Sequence, residues 1–283
     1  MKSWQVATSV FLLLLSLLSS RAGTLAQFRT VFGDVEVELY DQDKPVTVQN
    51  FIRYVQSGRY QDEFVHRLVP GFVAQGGGFT VTNRGTTNWA IVSVPTYPTI
   101  TNEFAVGRRF SNIYGTIAMA KAGGNTNSAS SQWFINLANN SFLDAADTND
   151  LFVVFGHVVS GTNVLNMFNS FQYWTGAQSS NLVLHQYYQA PFDDLPLLYL
   201  PAVDTNLLFA DITLLQVAVK PVAGGGKEIS WNSATGMTNI VEFTTNLPPA
   251  WITLTRTNGT GARMTVVDSV ASQRRFYRVR VTY

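Results

Sequence analysis

The chain has 283 residues, 46% of them hydrophobic and 13% charged, which allows one large domain with a small companion and excludes a disordered chain. A formal net charge of +1 gives the whole molecule no electrostatic reason to bind nucleic acid. With no cysteine and only three histidines, none of them paired at zinc-ligand spacing, disulfides, thiol catalysis and thiolate metal sites are excluded, and neither a metal nor a cofactor is expected.

Lys2 precedes an apolar run from Val10 to Leu18 broken only by Ser16, and the small residues Ser19, Ser20 and Ala22 follow. This reads as a signal peptide over residues 1–26, cleaved after Ala22 or after Ala26. The run is shorter than the ~20 apolar residues that a bilayer span needs, although an uncleaved anchor is the alternative reading. The mature protein is expected in the periplasm or outside the cell, with no stable membrane insertion once the leader is removed.

Next, Val35, Val37 and Leu39 alternate with Glu36, Glu38 and Tyr40, the period of a half-buried strand. Gly33-Asp34 supplies a turn, with Phe28–Phe32 as the partner strand. Pro45 opens a helix in which Val48, Phe51, Ile52 and Val55 share one face, and Gly58 ends it. Short strands are expected at 64–69, 72–76, 115–120, 132–136, 152–158 and 212–217. A second helix between Gly161 and Asn169 takes Thr162 as its cap. Many short strands with two helices predict a closed antiparallel barrel with helices at its ends. Residues 80–112 and 170–210 read as long irregular coverings.

Pro221–Gly226 (PVAGGG) reads as a linker. Beyond it, residues 227–283 hold five strand-like segments separated by turn residues, which predicts a small β-sandwich. In the last of them Tyr277 and Val279 alternate with Phe276, Arg278 and Arg280, so one face is expected to be buried. Residues 23–226 carry 10 Lys and Arg against 15 Asp and Glu, whereas residues 227–283 carry 7 against 3. The two parts are thus of opposite charge and can attract one another.

Three stretches carry the chemistry. Phe64–Phe79 reads FVHRLVPGFVAQGGGF; Gly115–Ala122 reads GTIAMAKA and leads to Ser131–Asn136, SQWFIN; Phe142-Leu143-Asp144 leads to Phe152–Gly156, FVVFG. In this order and at these spacings they resemble the cyclophilins, proline isomerases built on an eight-stranded barrel, over about Phe28 to Val217. The resemblance makes residues 27–220 an isomerase domain acting on proline-containing polypeptides. It implies that Arg67 is the catalytic arginine and that Phe72, Val73, Phe134 and Leu143 form the slot for the proline ring. Gln75 and Gln132 match its polar side, with Gln75 holding Arg67 or the substrate carbonyl. Ala120 and the backbone of Lys121 match the strip along which the peptide lies, and Phe152 takes the last pocket position.

Departures from the family pattern leave the core catalytic set untouched. Val73 stands where methionine is common, Phe152 where many members have histidine, and Phe142 where a tryptophan marks the members most sensitive to cyclosporin. His66 adjoins Arg67, but strand alternation turns it to the opposite face, so it reads as structural rather than as a general base. His157 and His185 have no partner constellation and read as structural or exposed. The leading function is thus an isomerase assisting the folding of exported proteins. The alternative is a binding module for proline-containing segments with incidental turnover, and the charge of Arg67 speaks for the enzyme. Trp231 and Trp251 in the small module are read as core rather than sugar-stacking residues, and the partner of that module is unknown.

Overall fold

The structure, a computed structural model, describes residues 24–145, 151–215, 217–233, 238–246, 248–260, 262–270 and 274–282. All but the last three residues of the expected signal peptide lie outside these segments. The chain opens on the hairpin β1 (Leu25–Thr30) and β2 (Gly33–Leu39), in which Val35, Val37 and Leu39 point inward opposite Phe28 and Ala26. The strand therefore starts before residue 27, and Leu25 and Ala26 are already paired with both neighbours.

Helix α1 (Pro45–Gln56) buries Val48, Phe51, Ile52 and Tyr54, and Val55 packs at the margin of the same core. No local side chain caps it. The Glu103 carboxylate does so from a distant loop, accepting the N–H groups of Val46 at 3.0 Å and Thr47 at 2.7 Å, two of the donors that every helix start leaves unpaired. Then come β3 (Arg67–Val69), β4 (Val73–Gly76), β5 (Phe79–Thr82), β6 (Ala90–Ser93), β7 (Thr116–Met119), β8 (Trp133–Asn136) and β9 (Val154–Ser160). The strand expected at 64–69 is cut to its second half, because Phe64 is drawn into a bridge with Phe209.

Helix α2 (Thr162–Asn169) follows, but Thr162 is not its cap. Gly161 is, at φ +90°, and a Cβ there would lie 2.2 Å from the Asp34 carbonyl oxygen. Only glycine tolerates both the left-handed backbone and that approach to β2. The stretch expected to be irregular after it contains β10 (Gln172–Tyr173), β11 (Ser180–His185) and β12 (Asp194–Tyr199). These form a three-stranded sheet with β12 at its edge, where Pro196 removes no needed donor. The stretch at 80–112 likewise contains part of the β5–β6 hairpin.

With β13 (Asp211–Leu215), eight strands form one antiparallel sheet in the order β13-β1-β2-β9-β7-β8-β4-β3. Its two ends meet where Val65 N–H donates to the Leu208 carbonyl at 2.9 Å and Ala210 N–H to that of Glu63 at 3.1 Å. The sheet thereby curls into a barrel filled by Val37, Leu68, Ile117, Trp133, Ile135 and Phe155, with α1 and α2 packed on it. A second apolar layer, including Phe64, Leu182, Leu184, Leu195 and Leu197, supports the β10–β12 sheet, and β12 lies against β3.

The remaining strands are β14 (Ala218–Pro221), β15 (Lys227–Asn232), β16 (Thr238–Thr244), β17 (Ile252–Asn258), β18 (Arg263–Asp268) and β19 (Phe276–Thr282). They form two three-stranded sheets, β14-β15-β18 and β17-β16-β19. The sheets share a core of Ile229, Trp231, Val241 and Val279. The expected linker at 221–226 is the loop of the β14–β15 hairpin, tied by Val222 N–H to the Gly226 carbonyl at 3.0 Å. Three glycines mark a tight turn here rather than a flexible tether. The small module accordingly begins at Ala218, ahead of the expected boundary.

Candidate active site

Residues directly opposite each other in an antiparallel sheet share a face. Arg67 on β3 is opposite Gln75 on β4, Gln75 is opposite Phe134 on β8, Phe134 opposite Ala118 on β7, and Ala118 opposite Val154 on β9. The neighbouring row, Leu68, Ala74, Ile135 and Ile117, points into the barrel core. The first row therefore lines the outer face. There Val73, Ala118, Phe134, Leu143 and Val154 form an apolar cluster separate from the core, flanked by Tyr40, Phe72, Phe110, Ala120 and Phe152.

Of the residues matched to the site, Phe72, Val73, Ala120, Phe134, Leu143 and Phe152 belong to this cluster or flank it, and Arg67 and Gln75 share its row. Phe134 meets Phe152 edge-on at 5.6 Å between ring centroids, and the Lys121 ammonium lies 4.4 Å from the Phe152 ring. Phe72 carries the exposed Phe142 ring stacked on it at 5.9 Å. Gln75 Nε2 donates to Gln132 Oε1 at 2.7 Å, so the side chain expected to hold Arg67 is engaged with its fellow glutamine. The glycines after Gln75 make room for a tryptophan: a Cβ on Gly76 would stand 2.4 Å from the Trp133 ring.

Leu143 is held on a one-turn helix, Ser141–Asp144, by a polar frame that the sequence did not disclose. The Asp144 carboxylate accepts from Asn112 Nδ2 at 2.7 Å and from the Asn112 backbone at 3.1 Å. Asn112 in turn accepts from the fully buried Asn136 at 3.1 Å. Asn140 donates to the Phe72 carbonyl and to Asn136 Oδ1, both at 2.8 Å. Buried amides paired in this way stiffen the wall of the slot without leaving a polar atom unsatisfied.

Arg67 stands at the end of the row, its side chain 31% exposed and its guanidinium 5.9 Å from the Phe72 ring. Its ion-pair partner is Asp194, with Nε 3.4 Å from Oδ2. The other oxygen of Asp194 pairs with His185 Nδ1 at 2.6 Å. This corrects the reading of His185 as a histidine without partners. Neither it nor Asp194 belongs to a recognisable motif, and pairing of β11 with β12 brings them together. His66 is 1% exposed and packs edge-on against Phe79 at 5.1 Å. Burial, helped by the neighbouring Arg67 charge, pushes its pKa down to about 4, so it is a neutral structural group at pH 7.

Residues 25–186 match the family model described as cyclophilin type peptidyl-prolyl cis-trans isomerase/CLD. A peptidyl-prolyl cis-trans isomerase of Acinetobacter baylyi is 37% identical over 145 residues, 51% of this chain and 71% of that protein. Peptidyl-prolyl cis-trans isomerase A of Dickeya dadantii is 41% identical over 143 residues, 50% of this chain and 70% of that protein. A Cryptosporidium parvum cyclophilin-type isomerase, solved in the presence of the dipeptide Ala-Pro, superimposes with a TM-score of 0.42 at 20% identity, over 67% of this chain and 98% of that one. With more than half its length inside the family model, and with the barrel and the ordered motifs that the sequence led us to expect, the chain belongs to the cyclophilin-type peptidyl-prolyl cis-trans isomerases, enzymes of rotation about the bond before proline.

Proposed function

We propose that the outer-face slot is the prolyl site, with Arg67 the catalytic group. The observation that carries this reading is the row in which Arg67, Gln75 and Phe134 stand side by side on adjacent strands, over an apolar cluster distinct from the core. Rotation about X–Pro must climb ~18–20 kcal/mol, because amide resonance gives the C–N bond partial double-bond character. No covalent step is needed. Phe134, Val73, Leu143 and Phe72 hold the pyrrolidine ring, while the chain runs past Ala120 and Lys121 with Phe152 as the far wall. The Arg67 guanidinium donates toward the prolyl nitrogen, whose lone pair localises only when the amide twists. One charged hydrogen bond is worth about 1.5–3 kcal/mol, or one to two decades of rate at 1.36 kcal/mol per decade. Holding the ring in a rigid slot supplies the rest.

Arg67→Ala is therefore expected to lower turnover far more than it weakens binding of a proline peptide, as for an interaction made only in the transition state. Phe134→Ala is expected to damage both together. Exchange rates on an X–Pro peptide, measured beside its dissociation constant, separate the two. Equal losses of rate and affinity in Arg67→Ala would make this residue a grip on the ligand, as in a binding module.

The enzyme is placed, within the same proposal, in the periplasm or outside the cell, where it acts on proline-containing segments of exported polypeptides as they fold. Support comes from Lys2 and the apolar Val10–Leu18 run, which have the form of a cleavable leader.

A further inference from the structure

We infer that Asp194 is a positioning residue for Arg67: a buried carboxylate on β12 that holds the guanidinium of the catalytic strand in its working orientation. The inference rests on the reading of Arg67 given above. Asp194 lies beyond residues 25–186, which the family model matches, on a sheet laid against β3. β3 is the last strand of the barrel sheet, so its far side is open to whatever packs there.

The need for such a residue follows from the surroundings of Arg67. Its side chain is 31% exposed, and a long arginine at a surface position samples many rotamers unless something fixes it. Gln75, directly opposite, donates to Gln132, and the Phe72 ring at 5.9 Å gives a face to rest on but no direction. Asp194 is the charged group beside Arg67. Its side chain is 7% exposed, Oδ2 faces Arg67 Nε at 3.4 Å, and Oδ1 is anchored by His185 Nδ1 at 2.6 Å. Breaking a buried ion pair is costly, so the pair constrains both members. Contact through Nε leaves the two Nη groups of the planar fork as donors for a substrate. His185, across the β11–β12 pair from Asp194 and with Tyr173 4.9 Å from its ring, holds the carboxylate in turn. A supporting shell of this kind is what keeps a catalytic side chain within a few tenths of an ångström of its productive place.

The test uses the full chain and five proteins: parent, Arg67→Ala, Asp194→Asn, Asp194→Glu and the double variant of Arg67→Ala with Asp194→Asn, assayed on an X–Pro peptide. Asp194→Asn is expected to leave KM within about twofold and to lower kcat by about ten- to a hundredfold, the cost of a misplaced catalytic group. Added to Arg67→Ala it should change nothing further, and Asp194→Glu should restore part of the loss. Parental kcat in Asp194→Asn, with Arg67→Ala impaired, overturns the positioning role alone. Undiminished activity in Arg67→Ala takes down the reading of Arg67 and this inference with it. A further drop in the double variant below Arg67→Ala means that Asp194 serves the fold generally, and also overturns it. Should Asp194→Asn not fold, the parent's Arg67 Nε–H resonance decides: slow solvent exchange supports the pair, and exchange like that of free arginine refutes it.

Discussion

Glu63 is wholly buried, at the point where the two ends of the barrel sheet meet. Burial raises its pKa well above the ordinary 4.5. The folded chain thus keeps a proton that the unfolded chain releases above about pH 4.5, and stability falls as pH rises from there toward the folded-state value. Glu63→Gln mimics the protonated acid. Its melting temperature should match the parent's below about pH 4.5 and exceed it increasingly toward neutrality; parallel curves at all pH values would refute the assignment. Glu63 borders the motif that made Arg67, Phe72, Gln75 and Phe134 legible, because ordered spacing overrides the default of reading an isolated phenylalanine as core. Ala118 and Val154 escaped notice, since small apolar residues in a strand look alike whichever face they line. Asp194 and His185 gave no signal at all. Their meeting depends on pairing between β11 and β12, and the prolines at 191 and 196 argue against strands there.

Capping of α1 shows what an element owes to distant sequence. Glu103 accepts two N–H groups of the first turn, and its own carbonyl accepts from Lys44 Nζ at 2.9 Å. Burial lowers the Lys44 pKa, and the Glu103 charge works against that shift. Glu103→Ala should cost about 1–2 kcal/mol, the range for a lost helix cap, and lower the melting point by about 2–8 °C in a domain of this size. Turnover of the folded fraction should be unchanged, because α1 packs on the core and not on the outer slot. The period of α1 and the alternation of β2 were both readable in the chain, whereas a cap supplied from 57 residues away (Glu103 to Val46) was not. Strand β1 bears on processing. Leu25 and Ala26 are paired on both sides, and Thr24 N–H donates to Asp41 at 2.7 Å. Cleavage after Ala26 would strip them away, so the proposed export predicts a protein that begins at Gly23. N-terminal sequencing that finds Gln27 would contradict this.

At the scale of the whole molecule, the expected split at residues 220 and 221 falls within the β14–β15 ladder, where Lys220 pairs with Glu228 and Pro221 with Lys227. A chain of residues 24–215 should therefore keep the isomerase activity of the full protein. Residues 27–220 should melt lower, having lost part of β1 and kept a strand without its partner; identical melting curves for the two would count against this division. Glu36 on β2 feels Arg278 and Arg280 of β19, although burial still leaves its pKa raised. Both arginines also reach Glu242, Arg278 Nε at 2.7 Å and Arg280 Nη2 at 3.2 Å.

Only residues 216 and 217 separate the end of β13 from the start of β14. So short a joint keeps the ends of β13 and β14 within about 11 Å of each other. The small module is therefore tethered closely to the barrel and cannot range far from it. A surface that the small module bound would thereby hold the slot close by and raise the local concentration of isomerase there.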